Sequence, residues 1–225
     1  MDRSSRNRLT DKLLLQFAGD TLFDHLARAV CRAGCLPRKE LYEAWEVARR
    51  VRRRFRGRRV VDLACGHGLL ALTLLLLDDR SPEALAVDRG LPKSAAALEA
   101  ALCAEWPRLR GRVRRVEADL SEVALDPGDL VVSVHACGGL TDLILARAVK
   151  AGASVAVLPC CHDLKQGDLG GLEGWMEGPL AMDAARAARL RAQGYRVFTQ
   201  LIPGDITPKN RLLMAEPDPL RAGGP

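Results

Sequence analysis

Short apolar runs rich in β-branched residues alternate with longer Ala- and Leu-rich stretches over residues 58–217. Short runs of this kind are typical of buried strands, and the longer stretches are typical of helices. The predicted strands are 58–64, 84–88, 111–119, 129–135, 153–159, 195–202 and 210–217, and the predicted helices between them are 68–78, 92–106, 140–152 and 178–194. The alternation predicts a seven-stranded α/β sheet built from βαβ units, whose last two strands form an antiparallel pair because no helix separates them.

A different pattern, without strand-like runs, precedes residue 57. It predicts helices over 8–17, over 20–34 with Asp20 or Thr21 as the cap, and over 37–55 with Pro37 at the start. The predicted organisation is therefore a helical arm or cap (1–56), a larger α/β domain (57–217) and a short flexible tail (218–225) rich in Pro and Gly.

Composition narrows the functional class. The chain has 225 residues, 48% of them hydrophobic, with a mean hydropathy of −0.04, which is typical of a globular protein. Its longest apolar run, 69–77, is too short to span a bilayer. The charged N-terminal stretch lacks the apolar segment of a secretory signal, so a cytoplasmic protein is predicted.

Cysteine and arginine each raise a question about ligands. Seven cysteines, an odd number, indicate free thiols in a reducing compartment. Cys31 and Cys35 have a spacing compatible with a metal site, but no second Cys/His pair follows soon, so packed thiols and no metal are predicted.

The net charge is +6, and residues 49–59 hold eight arginines, which favours RNA or another polyanion as a partner. Biased coding composition is the alternative, since Arg greatly outnumbers Lys.

The sequence "VVDLACGHG", residues 60–68, is the strongest motif. A strand ends here, a turn of small residues follows, and a helix begins near Gly68, so a ligand can approach the backbone where helix N–H groups point outward. Asp88 and Asp119 close the next two predicted strands, where a carboxylate can accept hydrogen bonds from ribose hydroxyls. The series indicates a nucleoside pocket, and the absence of G-x-G-x-x-G disfavours a dinucleotide dehydrogenase.

This segment resembles motif I of the class I S-adenosylmethionine-dependent methyltransferases, and residues 58–216 are similar to that family in strand order and acid placement. The resemblance implies a Rossmann-like seven-stranded sheet and S-adenosyl-L-methionine as cofactor, with the ribose at Asp88 and the adenine region at Asp119. One departure is Ala64, where many members carry a Gly. The residues implied to bind the cofactor are Asp62, Ala64, Cys65, Gly66, His67, Gly68, Asp88, Arg89, Asp119, Leu120 and His135.

Two further motifs, "HACGGLTD" (135–142) and "PCCH" (159–162), resemble a narrower group of the family, typified by eukaryotic tRNA methyltransferases that modify a ribose 2'-hydroxyl. The resemblance implies an RNA hydroxyl as acceptor. Asp163 replaces the second His of that group's Cys-Cys-His-His run, and the group's zinc-binding segments are missing. A methyltransferase of a small molecule or protein side chain, and a non-catalytic cofactor-binding domain, are the alternatives.

A base near the methyl group would activate a hydroxyl, which is a poor nucleophile while neutral. Histidine suits this role because it titrates near neutrality. His162 is the first choice and His135 the second, or the group that orients the substrate; a structural role is the alternative for both. Cys160 and Cys161 are predicted to line the catalytic pocket, and Cys137, Lys209, Asn210 and Arg211 to bind the acceptor. The Gly-rich stretch 165–179 is predicted to form a lid that carries Trp175 and Met176, or else a variable surface insert.

Overall fold

The computed structural model describes residues 2–220, and a single seven-stranded sheet lies at its centre. The strands are β1 (Val60–Leu63), β2 (Ala84–Asp88), β3 (Val113–Glu117), β4 (Leu130–Ser133), β5 (Ser154–Val157), β6 (Tyr195–Leu201) and β7 (Arg211–Pro217). Their order is β3-β2-β1-β4-β5-β7-β6, in which β7 runs antiparallel to both of its neighbours and the other pairings are parallel. The structure confirms the predicted Rossmann-like α/β fold and its antiparallel final pair.

Helices cover both faces of the sheet. They are α1 (Leu22–Ala33), α2 (Arg38–Arg54), α3 (Leu69–Leu77), α4 (Ala95–Glu105), α5 (Gly139–Ala151) and α6 (Gly178–Ala192). Side chains of α1 to α4 share one apolar core with alternate strand residues such as Val60, whereas α5 and α6 share a second core with Val61 and its equivalents. Adjacent residues of a strand face opposite sides, so each buried strand supplies both cores.

The N-terminal region departs from the sequence prediction at one place. Residues 8–17 do not form an α-helix; a 3-10 helix covers only Asp11–Phe17. The preceding residues are extended, because Arg8 bridges to Pro37 and the Leu9 N–H donates to the Leu36 carbonyl at 2.8 Å. This contact with the chain before α2 replaces the first helical turn. The predicted division at residue 56 stays a prediction, although α1 and α2 share their core with the sheet.

Two remaining predictions concern the chain's end and its relation to membranes. Part of the predicted tail, residues 221–225, lies outside the described residues. Within residues 2–220, no helix has the length and apolar character needed to cross a bilayer.

Candidate active site

The turn between β1 and α3 has the backbone of a ligand-binding loop. Ala64, Gly66 and Gly68 all adopt positive φ angles, of 56°, 52° and 75°. This is a left-handed conformation that glycine adopts freely and alanine does not. Gly68 precedes α3 without any side chain capping the helix, and a Cβ added to Gly66 would meet no atom within 4 Å. The N-terminal end of α3, which carries partial positive charge, therefore faces a turn with room for a ligand.

Asp88 anchors this turn from the end of β2. Its carboxylate accepts one hydrogen bond from the Gly66 N–H at 2.9 Å and another from the Gly90 N–H at 3.2 Å. A carboxylate has about four lone-pair sites, so two such bonds leave acceptor capacity for a ribose. The structure thus places Asp88 beside the loop, as the resemblance implies.

Arg89 and Asp119, which follow β2 and β3, contact each other. Arg89 Nε lies 2.9 Å from an Asp119 oxygen, and the other Asp119 oxygen accepts the Ser121 backbone N–H at 2.8 Å. Hydrogen bonds from the Ser121 hydroxyl and backbone, with the Arg89 charge, lower the pKa of Asp119 to about 2. Asp119 is therefore ionised across the physiological range, and it begins the short 3-10 helix Leu120–Glu122.

Asp62 has the opposite environment, inside the core below the loop. Its only hydrogen bond within the described residues comes from the Ala71 N–H at 3.2 Å, in the first turn of α3. Burial raises the pKa of Asp62 to about 7, and the nearby Asp88 charge adds to the effect. One weak backbone donor does not offset the cost of burying a carboxylate.

A narrow cleft brings the motif I loop together with β4 and α2. Cys65 and His67 from the loop face His135, which follows β4, and the opposite wall carries Glu40 and Ala44 of α2. The cleft has a volume of only about 20 Å³, close to the room one water molecule needs. The His67 ring lies 3.0 Å from the Ser94 hydroxyl, and burial lowers the pKa of His67. A nucleoside that used this cleft would have to displace side chains on one of its walls.

Three thiols converge where β4 and β5 end. The Cys137 sulfur lies 3.2 Å from that of Cys160 and 3.4 Å from that of Cys161, and the last two sulfurs are 3.8 Å apart. Cys137 and Cys161 form a parallel β-bridge that extends the pairing of the two strands. Sequence reasoning assigned these residues separately to the acceptor and to the pocket wall; the structure makes them one cluster.

His162 is buried and paired with an acid. Its side chain is 1% exposed, its Nε2 lies 2.9 Å from an Asp183 oxygen, and its Nδ1 has no hydrogen-bond partner among the described residues. In a neutral imidazole, the nitrogen facing the carboxylate carries the hydrogen and the other nitrogen keeps a lone pair. The pair therefore has the geometry of a base, with Nδ1 as the accepting atom and Asp183 as the orienting group.

Two of the residues predicted to bind the acceptor, Asn210 and Arg211, already form side-chain hydrogen bonds within the fold. The Arg211 Nε donates to the second Asp183 oxygen at 2.6 Å, and the Asn210 amide donates to the Ile202 carbonyl at 2.9 Å. Arg186 completes the network, since it contacts Asp183 at 3.1 Å. Arg211 thus lies beside His162 through their shared partner, whereas the Lys209 side chain forms no hydrogen bond or ion pair within residues 2–220.

A larger cavity of about 420 Å³ lies next to this network. Asp183 and Arg211 form its polar side, and the rest of its wall comes mainly from apolar residues of α6, β6 and β7. The stretch 165–179 packs on α6, where a Cβ added to Gly170 would come within 3.2 Å of Ala185, and none of its residues lines the cavity. Trp175 points to solvent, 86% exposed, so in this conformation it covers no pocket.

The sequence profile of a family described as a methyltransferase domain matches residues 38–167, more than half of the chain. The chain belongs to this methyltransferase family. A search of curated proteins found no match by sequence. The family match and the strand order together show that the chain contains a class I methyltransferase domain.

Solved structures with the same fold are distant in sequence. An O-methyltransferase family protein from Burkholderia thailandensis is 18% identical with a TM-score of 0.53, covering 95% of this chain and 65% of that one. The S-adenosylmethionine-dependent methyltransferase SibL is 20% identical with a TM-score of 0.53, and the match covers 94% of this chain and 66% of SibL. The mitomycin 7-O-methyltransferase MmcR is 19% identical with a TM-score of 0.54, and the match covers 91% of this chain and 60% of MmcR. The chain therefore spans less than two thirds of the length of each of these proteins.

The residues of the methyltransferase around motif I fit S-adenosyl-L-methionine. The open backbone at Gly66 and the uncapped start of α3 suit its carboxylate, and Asp88 suits its ribose. Arg115 adds donors that sequence reasoning missed. Its Nη1 pairs with Glu99, whereas its Nε and Nη2 are buried without partners in the described structure, and Nη2 lies 3.9 Å from a Cβ built on Gly68. The two unpartnered nitrogens of this guanidinium can donate hydrogen bonds to the cofactor's carboxylate beside the loop.

Two other residues of the site, Asp183 and Glu40, also escaped sequence reasoning. Asp183 lies in the middle of an Ala-rich helix, 21 residues after His162, and nothing local links the two. Glu40 belongs to a helix interpreted as a separate arm. Arg115 did carry a signal, because Arg114 and Arg115 are adjacent in a predicted strand and adjacent strand residues face opposite sides, so one of the two must face the covering helices.

Proposed function

We propose that this methyltransferase methylates a hydroxyl of an RNA, with a ribose 2'-hydroxyl of a tRNA-like substrate as the acceptor. The observation that carries the proposal is a basic groove of about 340 Å³ that adjoins the cavity beside His162 and Asp183. Arg49, Arg50 and Arg53 line the groove, and Gln200 and Leu201 line both the groove and the cavity. A phosphate backbone bound by the arginines would place neighbouring nucleotides at the cavity.

Part of the arginine run is free to bind phosphate. Arg50 and Arg49 pair with Glu46, and Arg59 forms a bidentate pair with Asp129 at 2.8 and 2.7 Å, so these charges are partly neutralised. Arg53 is exposed and forms no ion pair within residues 2–220. The Arg54 guanidinium lies 3.6 Å from the centre of the Phe198 ring, a contact that leaves its charge uncompensated.

His162 is the proposed base. The cofactor supplies an electrophilic methyl group when bound, and the acceptor hydroxyl must lose its proton as it reacts. His162 Nδ1 would take that proton, while Asp183 holds the ring and stabilises the charge that develops on it. Because His162 is buried, the segment between β5 and α6 would have to open for the acceptor, which gives the predicted lid a purpose. His135 is exposed on the cofactor side and would orient the acceptor.

The first experiment follows the methyl group. Purified protein is incubated with S-adenosylmethionine labelled in its methyl group and, separately, with total RNA, protein extract and small-metabolite extract. The proposal expects label in the RNA fraction, recovered after digestion as a 2'-O-methyl nucleoside. Label confined to the protein or metabolite fraction would overturn the RNA assignment.

Two charge reversals test the groove. Arg53→Glu should weaken RNA binding about tenfold or more at moderate salt and flatten its salt dependence, since it replaces a phosphate contact with a repulsion. Arg114→Glu is the matched control: this exposed arginine lies in β3, at the opposite edge of the sheet from β6. Equal losses in the two variants would mean that only net charge matters, and the groove would not be the docking surface.

One observation favours a second acceptor class. The wall of the cavity is mostly apolar, with Leu180, Ala184, Ala187 and Leu213 among its residues, and a small hydrophobic alcohol would bury well there. The name of the mitomycin enzyme specifies a small-molecule hydroxyl, but its 19% identity bears on the fold alone. Label in the metabolite fraction would select this alternative.

A further inference from the structure

The three-thiol cluster has no task in the methyl transfer derived above. Cys137 and Cys161 are exposed and Cys160 is half-buried, so the cluster opens to solvent rather than lying in the core. Among the described residues, these three form the one group of three or more Cys, His, Asp or Glu residues whose ligand atoms all lie within 4.8 Å of one another. Cys31 and Cys35, the pair considered from sequence, belong to no such group in that part of the chain.

We propose that Cys137, Cys160 and Cys161 bind one thiophilic divalent ion, Zn²⁺, through three thiolates, with the fourth coordination position open to water. A zinc–thiolate bond of about 2.3 Å in a tetrahedral site puts two sulfurs about 3.8 Å apart. The observed separations of 3.2, 3.4 and 3.8 Å need only small side-chain rotations to reach that value. Three protein ligands with one open position is the pattern of zinc sites that take an exchangeable ligand.

The backbone holds these ligands in place before an ion binds. Cys137 and Cys161 form a bridge in the extension of β4 and β5, and the Gly138 N–H donates to the Cys161 carbonyl at 3.1 Å. Cys160 is adjacent in the chain and shares that support. Ligands fixed at the ends of two paired strands lose less conformational entropy on binding than ligands on a free loop.

The thiols of the cluster must lose their protons to bind a cation, which costs free energy while no ion is bound. Burial raises the pKa of Cys137 and of Cys160, and the neighbouring thiols add to the effect at Cys160, because one thiolate there disfavours the next. A divalent cation reverses that preference. For each sulfur bound, an S–H bond breaks, an S–Zn bond forms and a proton passes to the buffer, so binding releases up to three protons and weakens as pH falls.

Metal binding is measured on the full chain, reduced and stripped of metal by a chelator. Zn²⁺ is titrated in competition with a chromophoric chelator, and Co²⁺ replaces it for absorption spectroscopy. We expect one ion per chain, with a thiolate-to-cobalt charge-transfer band. Cys160→Ser should weaken binding at least tenfold and remove most of that band, while circular dichroism reports that the fold is kept.

The matched control is Cys103→Ala, a cysteine of α4 outside the cluster, which should bind Zn²⁺ like the parent protein. Binding that is unchanged in Cys160→Ser, or equally lost in both variants, would overturn the proposal. So would a reduced protein that takes up no Zn²⁺ and instead forms a Cys137–Cys160 disulfide when an oxidant is added. The readouts are independent of methyl transfer, so failure of the RNA proposal leaves this test intact.

Discussion

At the scale of single residues, Asp62 and Asp88 lie beside the same turn but differ in burial and in hydrogen bonding. Both residues lie towards the ends of neighbouring parallel strands. Asp88 receives two backbone hydrogen bonds at the protein surface, whereas Asp62 is buried with one long bond. The first is a ready acceptor for a ligand, and the second lies in the core as a group for which ionisation is costly.

The free energy of unfolding should therefore depend on pH through the protonation of Asp62. Its pKa is about 7 in the fold and about 4 in an unfolded chain, so the native state binds the proton more tightly. The free energy of unfolding should fall as pH rises from about 4 to about 7, by an amount on the order of a few kcal/mol. Asp62→Asn should remove this decline, making the variant more stable than the parent at pH 8, as measured by denaturant unfolding without cofactor. A variant equally destabilised at pH 5 and pH 8 would contradict the prediction.

Asp88→Ala should weaken cofactor binding. The substitution removes the acceptor for ribose and the anchor of the Gly66 N–H, so we expect the dissociation constant for S-adenosylmethionine to rise at least tenfold, which corresponds to about 1.4 kcal/mol. Isothermal titration calorimetry measures it directly. Asp79→Ala, at an exposed carboxylate in the loop after α3, should bind like the parent. An unchanged affinity in Asp88→Ala would exclude this carboxylate as the ribose acceptor.

At the scale of elements, α1 begins with a complete capping box. The Thr21 side chain accepts the Asp24 backbone N–H at 3.2 Å, and the Asp24 carboxylate accepts the Thr21 N–H at 3.1 Å. Each bond satisfies a donor that the helix itself leaves unpaired. The sequence predicts either Asp20 or Thr21 as the cap, and the structure shows that it is Thr21.

Thr21→Ala should lower the free energy of unfolding by about 1 kcal/mol, because the Asp24 N–H loses its partner. Thr10→Ala provides the comparison, since Thr10 precedes the 3-10 helix Asp11–Phe17 without any side-chain capping bond. Its effect should be a few tenths of a kcal/mol at most. Thermal or urea unfolding of both variants measures the difference, and equal losses would show that the cap contributes nothing specific.

Local patterns determined what could be predicted from sequence. The strands and helices could be predicted from the periodicity of hydrophobic positions, and the motif I turn from its glycines, because both signals extend over only a few residues. The extended residues 8–9 were missed because their partner is Leu36, and the thiol cluster because β4 and β5 bring Cys137 beside residues more than twenty positions away. The structure places His162 in the segment that follows β5, whereas its pairing with Asp183 depends on how α6 packs. Contacts between residues far apart in the chain cannot be predicted from a short stretch of sequence.

At the scale of the whole molecule, the N-terminal helices and the sheet share one core. Leu41, Val47 and Val51 of α2 are fully buried in it, and α2 packs along α3. A chain truncated to residues 57–217 would expose Leu72 and Leu75, which belong to the same core. We expect this truncation to lose cooperative unfolding and to bind a hydrophobic dye, as measured by denaturant titration and fluorescence. A sharp unfolding transition would instead support an independent domain from residue 57.

The position of β7 has a consequence for the order of events on the ribosome. β6 is synthesised before β7, yet its place in the sheet is beyond β7, which lies between β5 and β6. Until β7 emerges, β6 has no strand to pair with, and β5 presents an open edge to any other nascent or misfolded chain. Chaperone contact should concentrate in the interval in which β5 has left the ribosome and β7 has not yet paired with it.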